Sequence, residues 1–178
     1  MPQEETTMDV LTTISDRQLI RLMGEAAASP RLRKNLNIHR VPEDPIQRLF
    51  NAMEPGTYVR PHRHARPTGW ELMLAVRGAF SIITFDDRGT VQERIDLSAA
   101  GGDMAAEIPA YTWHAVVVLA PETVMFEVKP GPYSPVEDKD FAAWAPEEGD
   151  PDTERVVAWY ETARPGDRLW PEKSADAR

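Results

Sequence analysis

Nine short stretches rich in apolar and β-branched residues follow one another along the middle of the chain, and this repetition constrains the fold most. Turn-forming residues separate most of them, as at 54–56, 86–89 and 101–102. Many short strands at such spacing are typical of an all-β sandwich or barrel. Several stretches are apolar on both faces, which favours a barrel with a lined interior and a covered outer face. The candidate strands are 35–39, 46–53, 57–61, 70–76, 80–85, 91–97, 103–108, 113–119 and 123–129.

The two ends of the chain differ from this middle part. Ser15 and Gln18 form a capping box, and apolar residues follow at helical spacing, so we predict an amphipathic helix that packs on the barrel. After residue 130 the chain is acidic, keeps scattered aromatic residues and includes a helix-like patch at 153–162. The expected organisation is a single domain in three parts: an N-terminal tail and helix at 1–34, the barrel at 35–130 and a C-terminal extension at 131–178.

Composition narrows the function classes. The 178 residues carry a formal net charge of −9, whereas nucleic acid and anionic membranes require a basic surface, so neither is expected as a partner. Cysteine is absent, which removes disulfides and thiolate ligands. The acidic N-terminal residues lack the layout of a secretory signal, and no apolar run is long enough to span a bilayer. We therefore expect a cytoplasmic location.

Three of the four histidines and one glutamate stand where their side chains can meet. His62 and His64 are two residues apart, so on a strand both imidazoles project to one face. Glu71 and His114 lie in apolar candidate strands, where a buried carboxylate needs a cation or a strong hydrogen-bond partner. This set predicts one divalent metal ion per chain (Fe, Mn, Ni, Co or Zn) with coordination positions open for a ligand. The alternative is a set of satisfied buried histidines.

The spacing of these residues resembles the first cupin motif. Gly56 precedes His62-x-His64, six residues separate His64 from Glu71, and six more separate Glu71 from Gly78. The spacer before Glu71 is longer than that of the motif by two or three residues, which a looser turn can absorb.

The second cupin motif is similar to the stretch from Gly102 through Pro109 to His114. Its spacer has one extra residue, and Val118 stands where the motif has its terminal Asn. Four longer segments closely resemble the WbuC-type cupin-fold metalloproteins. The resemblance implies a double-stranded β-helix and a metal bound through the cupin residues; members of that family occur beside bacterial surface-polysaccharide genes. The resembling segments are 29–39, 44–49, 51–64 and 138–149.

Further residues are candidates for a ligand pocket, although a structural role explains each of them too. Glu127 and Lys129 alternate with apolar residues in the last strand, so pocket and surface positions suit them equally. The other pocket candidates are His39, Asn37 and Tyr111.

Two classes of function fit this site. The first is an enzyme that acts on a sugar or sugar-derived compound, isomerase- or epimerase-like through Lewis-acid chemistry or dioxygenase-like with iron. The second is a non-catalytic module that binds a carbohydrate or carboxylate. A metal that only holds the barrel closed is a weaker third, because structural sites are normally saturated by protein ligands. No catalytic residue is assigned from the sequence. A small-molecule ligand is expected in each of the first two cases, and the apolar strand faces would allow a homodimer.

Overall fold

The protein is described by a computed structural model that covers residues 11–132 and 140–170, so the predicted tail and C-terminal extension lie partly outside the described residues. These residues form two helices, α1 (Asp16–Ala27) and α2 (Thr153–Thr162). Ten strands accompany them: β1 (Arg33–Asn37), β2 (Ile46–Met53), β3 (His62–Arg63), β4 (Glu71–Arg77), β5 (Ala79–Phe85), β6 (Val91–Ser98), β7 (Ala105–Ile108), β8 (Trp113–Val118), β9 (Thr123–Pro130) and β10 (Asp140–Phe141).

The strands form two five-stranded sheets with antiparallel pairing. Sheet A has the order β1-β2-β9-β4-β7, and sheet B has the order β10-β3-β8-β5-β6. Buried side chains from both sheets, such as Met73 of sheet A and Phe80 of sheet B, belong to one apolar cluster between them. The predicted all-β, single-domain barrel is therefore confirmed.

Eight of the nine predicted strands lie within two residues of an observed strand at each end. The ninth prediction, 57–61, is wrong: this segment is not a strand, and β3 begins only at His62. The main chain there is held by side chains instead. Arg33 Nη1 donates to the Tyr58 carbonyl at 2.7 Å, and the Thr57 hydroxyl donates to the Arg31 carbonyl at 2.7 Å. Pro61, which has no N–H, cannot donate to a strand ladder.

Each helix covers the outer face of one sheet. The predicted capping box is present, since the Ser15 side chain accepts from the Gln18 N–H and the Gln18 side chain from the Ser15 N–H. The buried stripe of α1 packs on Ala52 and Val124 of sheet A, and α2 buries Tyr160 against sheet B. Neither helix in the described part of the chain is long and apolar enough to cross a membrane. The residues of the α1 stripe are Leu19, Leu22, Met23 and Ala26.

Inward-facing residues change from apolar to polar along single strands. On β4 the inward positions run from Met73 to Glu71, and on β8 they run from Val116 to His114. We name the two halves of the interior the apolar end and the polar end. The apolar end contains Met53, Met73, Ala75, Phe80, Ile82, Leu97, Val116, Val118 and Met125. The polar end contains His62, His64, Glu71, His114, Glu127 and Lys129.

Candidate metal centre

Four donor side chains meet at the polar end. One potential ligand atom from each of His62, His64, Glu71 and His114 lies within 4.8 Å of the other three, and all four side chains are buried. His62 on β3 is directly opposite His114 on β8, with ring centroids 4.4 Å apart. Glu71 is the first residue of β4, which belongs to sheet A, whereas β3 and β8 belong to sheet B. The predicted set is thus brought together by both sheets of the barrel.

Two of the imidazoles are oriented by main-chain carbonyls. His62 Nδ1 lies 3.0 Å from the carbonyl oxygen of Arg60, and His114 Nδ1 lies 2.9 Å from that of Thr112. A carbonyl only accepts hydrogen bonds, so Nδ1 donates in both rings, and the neutral form of each ring keeps the lone pair of Nε2 for a metal ion. Hydrogen bonds of this kind fix the tautomer of metal-binding histidines. Both rings therefore offer Nε2 to the centre of the cluster.

Glu71 is surrounded by nitrogen atoms. Its Oε1 lies 2.7 Å from His64 Nε2 and 3.3 Å from Lys129 Nζ, and its Oε2 lies 3.0 Å from His114 Nε2. Burial raises the pKa of the Glu71 carboxyl. The contacts with His114 and His64 and the charge of Lys129 together outweigh burial and hold this pKa well below its usual value. Glu71 is therefore a carboxylate at neutral pH.

Two buried atoms of the cluster are not satisfied by hydrogen bonds. Among the described residues, neither Glu71 Oε2 nor His114 Nε2 has a hydrogen-bond partner, although the two atoms are 3.0 Å apart. Burying a polar atom without a partner costs about 1–3 kcal/mol. A cation between the donors would satisfy both atoms. Three imidazoles and one carboxylate suit the borderline divalent metals, so the residues present fit a metal site.

A glycine turn places His64 beside Glu71. After His64 the chain turns through hydrogen bonds from the Arg66 N–H to the His64 carbonyl and from the Gly69 N–H to the Arg66 carbonyl, each 2.9 Å long. A Cβ atom on Gly69 would lie 2.6 Å from the His64 carbonyl oxygen and 2.7 Å from its Cβ. This is the looser turn expected from the long spacer before Glu71.

A polar cavity of about 400 Å³ adjoins the cluster. It lies along β1, β2 and β9, and Lys129, which contacts Glu71, forms part of its wall. This volume is at the small end of the range of ligand sites, about 300–1,000 Å³, and suits one small molecule. Its residues are Arg31, Asn35, Asn37, His39, Pro42, Gln47, Leu49, Asn51, Glu127 and Lys129.

Three of the four predicted pocket residues border this cavity: Asn37, His39 and Glu127. His39 lies beyond the end of β1, not on the strand as predicted, and its Nδ1 lies 3.1 Å from the Arg48 main-chain nitrogen. Glu127 is buried and accepts a hydrogen bond from Asn51 Nδ2 at 2.9 Å. Tyr111 is elsewhere: it follows Pro109 in a turn with a positive φ of 66° and is half-exposed.

Part of the sequence matches a family whose role is undefined. The profile of a family described as a domain of unknown function, DUF6016, matches residues 14–97. The match reaches from α1 into β6 and includes His62, His64 and Glu71, whereas His114 lies beyond it. No curated protein matches the sequence.

The architecture of the chain is similar to that of several solved proteins. A variant of the salicylate 1,2-dioxygenase from Pseudoaminobacter salicylatoxidans, in complex with gentisate, has a TM-score of 0.51 and 11% identity, over 67% of this chain and 33% of that one. A cupin superfamily protein from Desulfitobacterium hafniense has a TM-score of 0.43 and 20% identity. The alignment covers 55% of this chain and 76% of that one. The fold is that of a cupin. KdgF from a Halomonas species has a TM-score of 0.44 and 24% identity, over 58% and 83%. At these identities the likeness is one of fold.

Two residues that the sequence did not single out complete the polar end. Asn51 binds Glu127, and Gln47 is buried at the cavity with its Nε2 2.9 Å from the Asp44 carbonyl. The available signal was that Gln47 and Asn51 are four residues apart, so a strand places both on one face. Which face of β2 is enclosed is known only once β2 is paired with β9. Arg63, which lies between His62 and His64, turns away from the cluster and pairs with Asp140 at 2.8 Å.

Proposed function

We propose that this cupin binds one divalent metal ion through His62, His64, Glu71 and His114 and uses it on a small oxygenated ligand. The observation that carries the proposal is the meeting of four buried donor side chains at one point, with Glu71 Oε2 and His114 Nε2 without hydrogen-bond partners among the described residues. An ion held by four protein ligands in octahedral coordination keeps two positions for a ligand. Fe, Mn, Ni, Co and Zn all suit this donor set.

The proposed ligand is a sugar or a sugar-derived compound. Support comes from the adjoining cavity, where amide side chains offer both donors and acceptors, as hydroxyl groups require. The resemblance to WbuC-type cupins connects the ligand to bacterial surface polysaccharides. The proposed activity is isomerase- or epimerase-like, with the ion polarising a carbonyl of the ligand. Tyr111 stays a prediction as a pocket residue, as do the three-part division of the chain, a homodimer and a cytoplasmic location.

Metal analysis tests the site. We expect close to one equivalent of metal in protein purified without chelators, and none in the double variant His62→Ala/Glu71→Ala. His39 provides a matched control because it is the one histidine outside the cluster. His39→Ala should keep its metal. A double variant that retains one equivalent of metal disproves the proposed ligand set.

Assays of the metal-loaded protein separate the enzyme from the binding module. The enzyme is supported by turnover of a sugar phosphate, nucleotide sugar or uronic acid that one specific metal restores after chelation. Metal-dependent binding of such a compound without turnover supports the module instead. Oxygen uptake with iron alone points to a dioxygenase.

A further inference from the structure

Lys129 lies between the metal-binding cluster and the polar cavity. Its Nζ is 3.3 Å from Glu71 Oε1 and 3.1 Å from Glu127 Oε1, and its side chain is 8% exposed. The same side chain forms part of the cavity wall. One buried ammonium group thus contacts a proposed metal ligand on one side and a cavity carboxylate on the other.

The charge of the cavity differs from that of the whole chain. The chain has a net charge of −9, but among the described residues the acidic and basic side chains along the cavity are two basic ones, Arg31 and Lys129, and one acidic one, Glu127. Glu148 holds Arg31 at the rim through two hydrogen bonds of 2.5 and 2.7 Å. The cationic group at the inner end is therefore Lys129. In the absence of an ion it contacts the carboxylates of Glu71 and Glu127.

We propose that Lys129 links the two sites electrostatically and makes the metal-loaded cavity a site for an anionic oxygen of the ligand. The inference rests on the proposed function. While Glu71 has no ion beside it, the Lys129 ammonium supplies its counter-charge. When Glu71 is committed to an ion, the ammonium keeps its contact with Glu127 but faces the positive charge of that ion. A carboxylate or phosphate oxygen in the cavity then gives Lys129 an anionic partner in place of Glu71.

Metal affinity measured by calorimetry with Co²⁺ tests the link to the cluster. Lys129→Met should bind Co²⁺ about tenfold more tightly than the wild type, or more, because a buried positive charge near the ion is removed. Glu127→Gln should bind Co²⁺ more weakly, because the Glu127 carboxylate no longer offsets the positive charge of Lys129 near Glu71. In the Lys129→Met/Glu127→Gln double variant, which leaves no unpaired carboxylate at position 127, the effect of Glu127→Gln should largely disappear.

Lys34 provides the control for loss of a lysine charge. It is exposed on β1, so Lys34→Met should leave the Co²⁺ affinity unchanged. If Lys129→Met and the double variant bind Co²⁺ no more tightly than Lys34→Met, this inference is overturned while the proposed metal site stands. If the wild type binds no metal, the proposed function and the inference both fail.

Anion probes test the cavity. Acetate, inorganic phosphate and the neutral isostere acetamide are titrated into Co²⁺-loaded wild type and Lys129→Met, with binding followed by ligand NMR. We expect acetate or phosphate to bind the wild type at least about tenfold more tightly than Lys129→Met, and acetamide to bind both equally. A preference for acetate indicates a carboxylate ligand, and a preference for phosphate indicates a phosphorylated one. Equal anion binding in the two proteins, or none, overturns the assignment of the cavity to anions.

Discussion

The two ends of the barrel interior are built from the same strands but have opposite chemistry. At the apolar end, Met73, Phe80 and Val116 pack together from both sheets. A few residues along the same strands, Glu71 and His114 are buried to the same degree. Burial of the apolar residues stabilises the folded state, whereas Glu71 and His114 each need a partner to offset their lost hydration. The apolar packing and the proposed metal binding are therefore separated along the barrel axis, and we expect that each end can be perturbed by itself.

The largest effect on stability is expected at the apolar end. Phe80 is completely buried, so Phe80→Ala should lower the free energy of unfolding by about 3–5 kcal/mol. Leu119 is 40% exposed, and Leu119→Ala should change it by less than about 0.5 kcal/mol. Denaturant unfolding of the metal-free proteins measures both. The folded fraction of Phe80→Ala should still take up one equivalent of metal, and its failure to do so would show that the two ends are not separable.

Removal of the proposed metal ion should have the next largest effect, and only through the polar end. At a free metal concentration of about 100 times Kd, binding stabilises the folded state by about 2.7 kcal/mol. Thermal unfolding with and without a chelator should show this difference for the wild type and for Leu119→Ala. Glu71→Gln should show none. A chelator-sensitive Tm in Glu71→Gln would mean that the ion stabilises the fold from another place.

A smaller effect is expected at the turn between the two sheets. Gly69→Ala brings a Cβ against the main chain of His64, so we expect a loss of about 1–3 kcal/mol in stability and a weaker metal affinity. Gly24 in α1 has open space around it, and Gly24→Ala should stabilise the protein by about 0.5–1 kcal/mol without changing metal affinity. Unchanged metal binding in Gly69→Ala would show that this turn does not position His64.

The smallest effect concerns the outside of the barrel. Burial raises the pKa of Glu148, but its bonds to Arg31 and Arg33 outweigh burial and lower that pKa below its usual 4.5. Its stabilising contribution is thus complete above pH 4.5 and is lost as the pH falls through the lowered value. Because Glu148 is 41% exposed, solvent screens the contribution to below about 1 kcal/mol. Unfolding of the wild type and Glu148→Gln should differ at neutral pH and converge in acid, equally with and without metal.

Local patterns in the sequence predict most of the strands and the four clustered donors. Strand parity places His62 and His64 on one face, and the cost of burying Glu71 predicts a partner for it. Parity could not decide the environment of Lys129, because which face of β9 is enclosed depends on its pairing with β2 and β4, which are distant in sequence.

Two further features depend on the folded main chain. The 57–61 segment looks like a strand, but side chains hold its carbonyl groups, as the bond from Arg33 to Tyr58 shows. The carbonyls of Arg60 and Thr112, which orient two imidazoles, belong to the backbone and carry no residue signature. Residue type could therefore indicate the donors of the site but not the groups that hold them.

The strand that contains His62 also affects the rate at which an ion would bind and dissociate. β3 has two residues, its outer neighbour β10 also has two, and Phe141 on β10 is half-exposed. So short a pairing opens with far less free energy than global unfolding. We therefore expect the residence time of a bound ion to depend on how often the pairing of β3 with β10 opens. The affinity for the ion should depend on the buried cluster. Amide exchange at His62 and metal dissociation should accordingly share one activation barrier, so that a tightly held ion could still exchange on the timescale of a local fluctuation.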